Sequence, residues 1–173
     1  MDTQIETTLS SLHSRHIKGI FAENSKEACR KILDLIPKGA VVGIGDSATV
    51  LQLGVPNALK ERGTEALNPF ELRKPHINPV DARQRMQNTM KAATTSDVYL
   101  TGTNAITLDG RLVSVDAVGN RVAGMFWGHP TSILVVGKNK IVRDLDEAFQ
   151  RIRNTHSPLS HSNEIGGIGR KKI

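Results

Sequence analysis

The sequence predicts an α/β fold with a mainly parallel, open sheet flanked by helices. Three observations predict it. Short apolar runs at residues 40–44, 98–101 and 132–136 lack polar alternation, which suits strands covered on both faces. Stretches of helical spacing alternate with those runs, the order expected of strand–helix–strand units. Two of the runs also lead into loops of small polar residues, Gly43-Ile44-Gly45-Asp46-Ser47-Ala48-Thr49 and Thr101-Gly102-Thr103-Asn104.

In chain order, the first ordered helix is expected at residues 26–36. Asn24 with Glu27 three residues later resembles a capping box, and Ala28, Ile32, Leu35 and Ile36 share one helical face. Pro37-Lys38-Gly39 ends it, and the strand at 40–44 follows. Residues 48–53 read as helical until Gly54 and Pro56 interrupt them, with a second helix or turn at 57–62. Pro69, Pro75 and Pro79 make residues 67–79 mostly loop, placed to act as a lid. Ala82, Met86, Met90 and Ala93 keep helical spacing over 81–93, with the methionines as core filler. After the strand at 98–101, the runs 105–107 and 112–115 flank Asp109-Gly110, a strong hairpin-turn pair. A strand at 132–136 and a helix at 144–153, with Leu145, Ala148, Phe149 and Ile152 as its buried stripe, complete the pattern.

A chain of 173 residues is expected to form one domain with a proper core, over residues 1–158, with 159–173 as a flexible tail. Aromatic content is only 3%, so Leu, Ile, Val, Ala and Met must build that core. No apolar stretch approaches the ~18 residues of a bilayer span. The polar N-terminus lacks the basic and apolar segments of a signal peptide, which points to a cytoplasmic protein without membrane insertion. Cys29 is the single cysteine, which excludes an internal disulfide and a cysteine-based metal cluster. The six histidines show no metal spacing, so no metal site is assigned. A formal net charge of +6 raises nucleic acid as a partner. The basic residues are scattered among acids without interleaved aromatics, so a solvated, mildly basic surface is the better reading, and attraction of a small anion stays open.

In open α/β sheets ligands sit beyond the carboxyl ends of strands, so the two polar loops should converge if their strands are neighbours. From the first loop Gly43, Gly45, Ser47 and Thr49 are candidate binding residues; the glycines permit close approach and the hydroxyls can donate. The spacing is neither a dinucleotide fingerprint nor a P-loop, and a tight turn capped by Asp46 or Ser47 explains it equally. From the second loop come Thr101, Gly102, Thr103 and Asn104, where asparagine can orient a ligand or simply bond loop backbone. Asp116 to Arg121 adds Gly119, Asn120 and Arg121, whose guanidinium suits a phosphate or carboxylate, and Asp116 as the acid–base candidate. A surface pair between Asp116 and Arg121 is the plainer alternative. Lys138 and Lys140 could neutralise an anion, and Lys138 is the lysine assigned to the site. No catalytic triad or carboxylate pair can be picked out, and no cofactor is assigned.

These residues resemble the lactate-utilisation (LUD) domain family. The resemblance is carried by residues 43–49 with Leu53-Gly54, the run 97–107, Asp109-Gly110, Val115-Asp116, Gly119 to Ala123, Val136-Gly-Lys-Asn-Lys-Ile-Val142, and the helix from Asp146. It spans roughly residues 10 to 158. It implies a fold of the NagB/RpiA/CoA-transferase-like class, related to sugar-phosphate isomerases and 5-formyltetrahydrofolate cyclo-ligase. It also implies a role in lactate or 2-hydroxy-acid utilisation beside iron–sulfur redox partner proteins. The alternatives are a non-catalytic accessory subunit, or an isomerase-, transferase- or cyclo-ligase-like enzyme on a phosphorylated or CoA-linked substrate. Relatives of this type often continue into a cysteine-bearing segment. No cysteine follows Pro158 here, so a cysteine-borne function is not carried over. Whether the protein is an enzyme, and whether it forms a homo-oligomer, stay open at this level.

Overall fold

The computed structural model describes residues 2–72 and 79–155, so the expected tail and the centre of the expected lid lie outside the described residues. Four strands form a parallel sheet: β1 (Val42–Ile44), β2 (Ala66–Leu67), β3 (Val98–Gly102) and β6 (Thr131–Val135), in the order β2-β1-β3-β6. Three more, β4 (Ala105–Thr107), β5 (Leu112–Val113) and β7 (Ile141–Val142), form a second sheet in the order β5-β4-β7. The expected hairpin is present, with β4 and β5 antiparallel and Gly110 at φ +80° in the turn. The expected α/β class, with a parallel sheet between helices, is the one observed.

Alternation along the central strands sorts the two faces of the parallel sheet. Val42, Ile44, Val98 and Leu100 point to one side, where α2 (Ser25–Leu35), α3 (Ala48–Gln52) and α4 (Val55–Glu61) deliver Ile32, Val50, Val55 and Leu59. All eight of these side chains are buried. Toward the other side Tyr99 meets α6 (Asn120–Phe126), and Gly43 meets the end of α5 (Pro79–Ala93). A smaller core of Ala105, Val142 and Ala148 joins the second sheet to α7 (Leu145–Thr155).

Several boundaries correct the expectations. A helix precedes the expected first one: α1 (Thr3–Ser14), capped by the Asp2 carboxylate accepting from the Gln4 N–H at 2.9 Å. Its polar, threonine-rich turns hide a narrow stripe ending in the buried Leu12. The Asn24–Glu27 cap forms, with the Asn24 side chain accepting from Glu27 N–H at 2.9 Å. Residues read as loop contain β2 and a short 3₁₀ turn, Pro69–Leu72; a two-residue strand is too short to show a period. The strand at 131–135 is an edge, with Ser132 exposed and only Ile133 buried, rather than covered on both faces.

Candidate functional site

The strand order determines where the loops meet. The chain leaves β1 for β2 on one side and returns to β3 on the other, so a topological switch point lies between β1 and β3. The two strands pair directly, Ile44 opposite Leu100, and the Gly45 N–H donates to Leu100 O at 2.9 Å. The polar loops expected to converge therefore stand side by side. Their approach depends on missing side chains. A Cβ on Gly102 would lie 2.5 Å from Ser47 Oγ, and one on Gly45 would lie 2.6 Å from both Thr101 Oγ1 and Tyr99 Oη. Ser47 caps α3, its hydroxyl oxygen accepting from Val50 N–H at 3.3 Å. Gly43 is not part of this crevice: a side chain there would strike Ala93 O, so its smallness serves helix–strand packing.

Asn104, 3% exposed, is the hub. Its Oδ1 accepts from Val115 N–H and from Arg121 Nη2, each at 2.9 Å. Arg121 also donates through Nη1 to Asp46 O at 3.3 Å and through Nη2 to Val115 O, so one guanidinium ties three loops together. Its Nε is buried without a partner. Asp116 positions that arginine from behind: its carboxylate accepts from the N–H groups of Arg121 (2.7 Å), Val122 (3.0 Å) and Val118 (3.2 Å). Burial works to raise its pKa, but these amides and that of Gly119 outweigh it and hold the carboxyl below its ordinary range. A carboxylate so engaged is a frame for the loop, which ill suits the acid–base role expected of it. Gly119 supplies the turn at φ +86°, and the Asn120 backbone carbonyl accepts from Tyr99 Oη at 3.1 Å.

The lysine at this end is Lys140, not Lys138. Lys138 pairs with Asp2 at 2.6 Å, whereas Lys140 Nζ donates to Thr103 O at 2.9 Å and Thr49 Oγ1 at 3.1 Å. Burial, then the charges of Arg151 and Arg121, push the Lys140 pKa below the ordinary lysine value. Arg151 was not expected here. From α7 its Nη1 reaches Asn104 O at 2.7 Å and its Nε reaches Asn139 O at 3.2 Å. Only the tertiary fold could reveal it, since it lies beside the apolar stripe of an ordinary amphipathic helix.

Thr103 is buried, its hydroxyl 2.8 Å from Val113 O and 2.9 Å from Ser114 Oγ. Thr101 is fully buried, and its hydroxyl has no hydrogen-bond partner. Tyr99 was likewise missed. It stacks on His129 at 5.1 Å and abuts Gly124, and burial, reinforced by Asp116, raises its pKa. His129 Nδ1 donates to Ser96 O at 2.5 Å, and its buried Nε2 has no hydrogen-bond partner. A separate cavity of about 540 Å³, lined by Ile17, Leu112, Ser114, Met125, Phe126 and Leu134 among others, contains none of the candidate residues.

Comparison with known proteins bears on this arrangement in one way. Neither the curated proteins nor the solved structures hold a significant match to the chain. A family model described as the LUD domain matches residues 5–165, a span that takes in both sheets and every residue of the Asn104 cluster. The chain therefore belongs to the LUD domain family.

Proposed function

We propose that this protein binds a small anionic metabolite in the crevice beyond the carboxyl ends of β1 and β3, in a cytoplasmic process tied to lactate or another 2-hydroxy acid. One observation carries the reading. Arg121 gathers the loops after β1 and β3 and the segment before α6, yet it is in no ion pair among the described residues. A half-buried guanidinium at a switch point, with donors left over, suits an anionic oxygen. Gly45 and Gly102 let the two loops pack closely, Thr49 and Thr103 accept from Lys140, and Asp116 with the Gly119 turn holds the backbone that carries the arginine. Family membership supports the link to lactate utilisation; a NagB/RpiA/CoA-transferase-like ancestry agrees with the strand-end position. Thermal-shift screening across lactate, sugar phosphates, folates and CoA esters tests it. At least one class should raise the melting temperature in a saturable way, and Arg121→Ala and Asn104→Ala should abolish the shift. Unchanged shifts in both variants would overturn the assignment.

A second reading, an accessory subunit of a redox complex, draws on Phe126 and Trp127, which stand 82% and 64% exposed at the end of α6. A monodisperse protein, purified from its host without partners and showing turnover, would exclude it.

A further inference from the structure

We infer that the anion taken by this crevice carries at least two negative charges, as a phosphoryl group or a dicarboxylate does, and that Lys140 and Arg151 recognise the second charge. The inference rests on the anion-binding reading above and narrows it.

The Thr103–Asn104 turn is ringed by three cations. Lys140 holds the Thr103 carbonyl, Arg151 the Asn104 carbonyl and Arg121 the Asn104 side chain. A carbonyl satisfies a donor but cancels no charge. The acids near this end are Asp46, which is exposed, and Asp116, which is committed to backbone amides. Both bear on Tyr99, on the Arg121 side. Among the described residues neither Lys140 nor Arg151 is in an ion pair, and the charges bearing on Lys140 are those of Arg151 and Arg121, both positive. Donors remain as well. Lys140 uses two of its three N–H bonds, Arg121 Nε is buried and unpartnered, and Arg151 Nη2 has no partner among the described residues. One carboxylate placed on Arg121 would leave Lys140 and Arg151 repelling each other in a half-buried setting. A second negative charge on the same ligand removes that repulsion, and Coulomb attraction in such a setting is several times stronger than in water. Fully buried Thr101, with its hydroxyl unpartnered beneath Gly45, adds a polar group that the protein itself does not satisfy.

The test is calorimetric titration of the full chain at constant ionic strength with inorganic phosphate, sulfate and malonate, against lactate and acetate. Direct heats are needed because sulfate stabilises folded proteins generally. The dianions should bind at least about tenfold more tightly than lactate. Lys140→Met and Arg151→Met should each bring that ratio towards one. Should either variant fail to fold, the wild-type ratio still decides. Binding of phosphate and sulfate alone assigns a phosphoryl group, binding of malonate alone a dicarboxylate, and either outcome supports the inference. Lactate binding as tightly as every dianion, with Arg121 still required, overturns the inference and leaves the anion site standing. No saturable heat from any of the five overturns the anion site itself.

Discussion

Individual residues at the strand ends are shaped more by what they must avoid than by what they touch. Gly45 and Gly102 admit neighbouring hydroxyl oxygens into the space where a Cβ would stand. Asn104 spends its side-chain oxygen on Val115 and Arg121, so truncating it would release the arginine as well as the loop. Asp116 carries a pH prediction. Its folded-state pKa is depressed, so its contribution is present above the unfolded aspartate value of about 3.9 and is lost as pH falls through the lower folded value. Urea unfolding across an acid pH series should show Asp116→Asn less stable at neutral pH and less sensitive to acid below about pH 4. Parallel acid limbs for wild type and variant would mean that the amide contacts contribute no preference for the charged form. At this scale the sequence was legible for residue identity and blind to direction. Lys138 is the lysine assigned from the sequence, yet Lys140 reaches Thr103 and Lys138 pairs with Asp2, because the turn between them faces them apart.

Elements followed their local chemistry wherever that chemistry was strong. Asn24, the Pro37-Lys38-Gly39 stop and the Asp109-Gly110 turn each did what their side chains and φ preferences dictate. What was hidden were elements held by neighbours. β2 and β7 have two residues each and exist only through pairing with β1 and β4. Helix α1 docks where a glycine lets it: a Cβ on Gly110 would lie 3.0–3.1 Å from the Ser11–Leu12 backbone, and Arg15 Nε donates to Asp109 O at 2.7 Å. Gly110→Ala should therefore cost more than the about 1–2 kcal/mol of left-handed strain alone. Gly63→Ala supplies the reference, because Gly63 has φ +73° and nothing within 4 Å of its would-be Cβ. Chemical denaturation of both variants isolates the α1 contact by difference, and equal losses would show that it contributes nothing.

For the whole molecule, the net charge of +6 reflects an excess of basic residues, some in local pairs and three gathered at the strand ends. Lys31–Glu27, Arg30–Asp34, Lys138–Asp2 and Arg143–Asp144 neutralise locally, whereas Arg121, Lys140 and Arg151 concentrate positive charge at the strand ends. A focused cluster attracts a small anion, and basic residues scattered among acids offer no continuous track to a phosphate backbone. Fluorescence anisotropy with duplex and single-stranded DNA at low salt should accordingly detect no saturable binding; a saturable, salt-sensitive curve would contradict this. Among the described residues no helix is long and apolar enough to cross a membrane.

The sequence by itself determined the α/β class, the two polar loops, the hairpin and the family, because each is written in local periodicity, turn chemistry or residue order. Only the tertiary structure decided which face each loop residue presents and which distant cations complete the site. Arg151 and Asn104 lie 47 positions apart and meet through the packing of α7 on β4, and Lys140 and Thr49 are 91 apart. Such contacts arise from how strands are ordered and helices packed. That order is set by burial of the whole core, and no window of neighbouring residues records it.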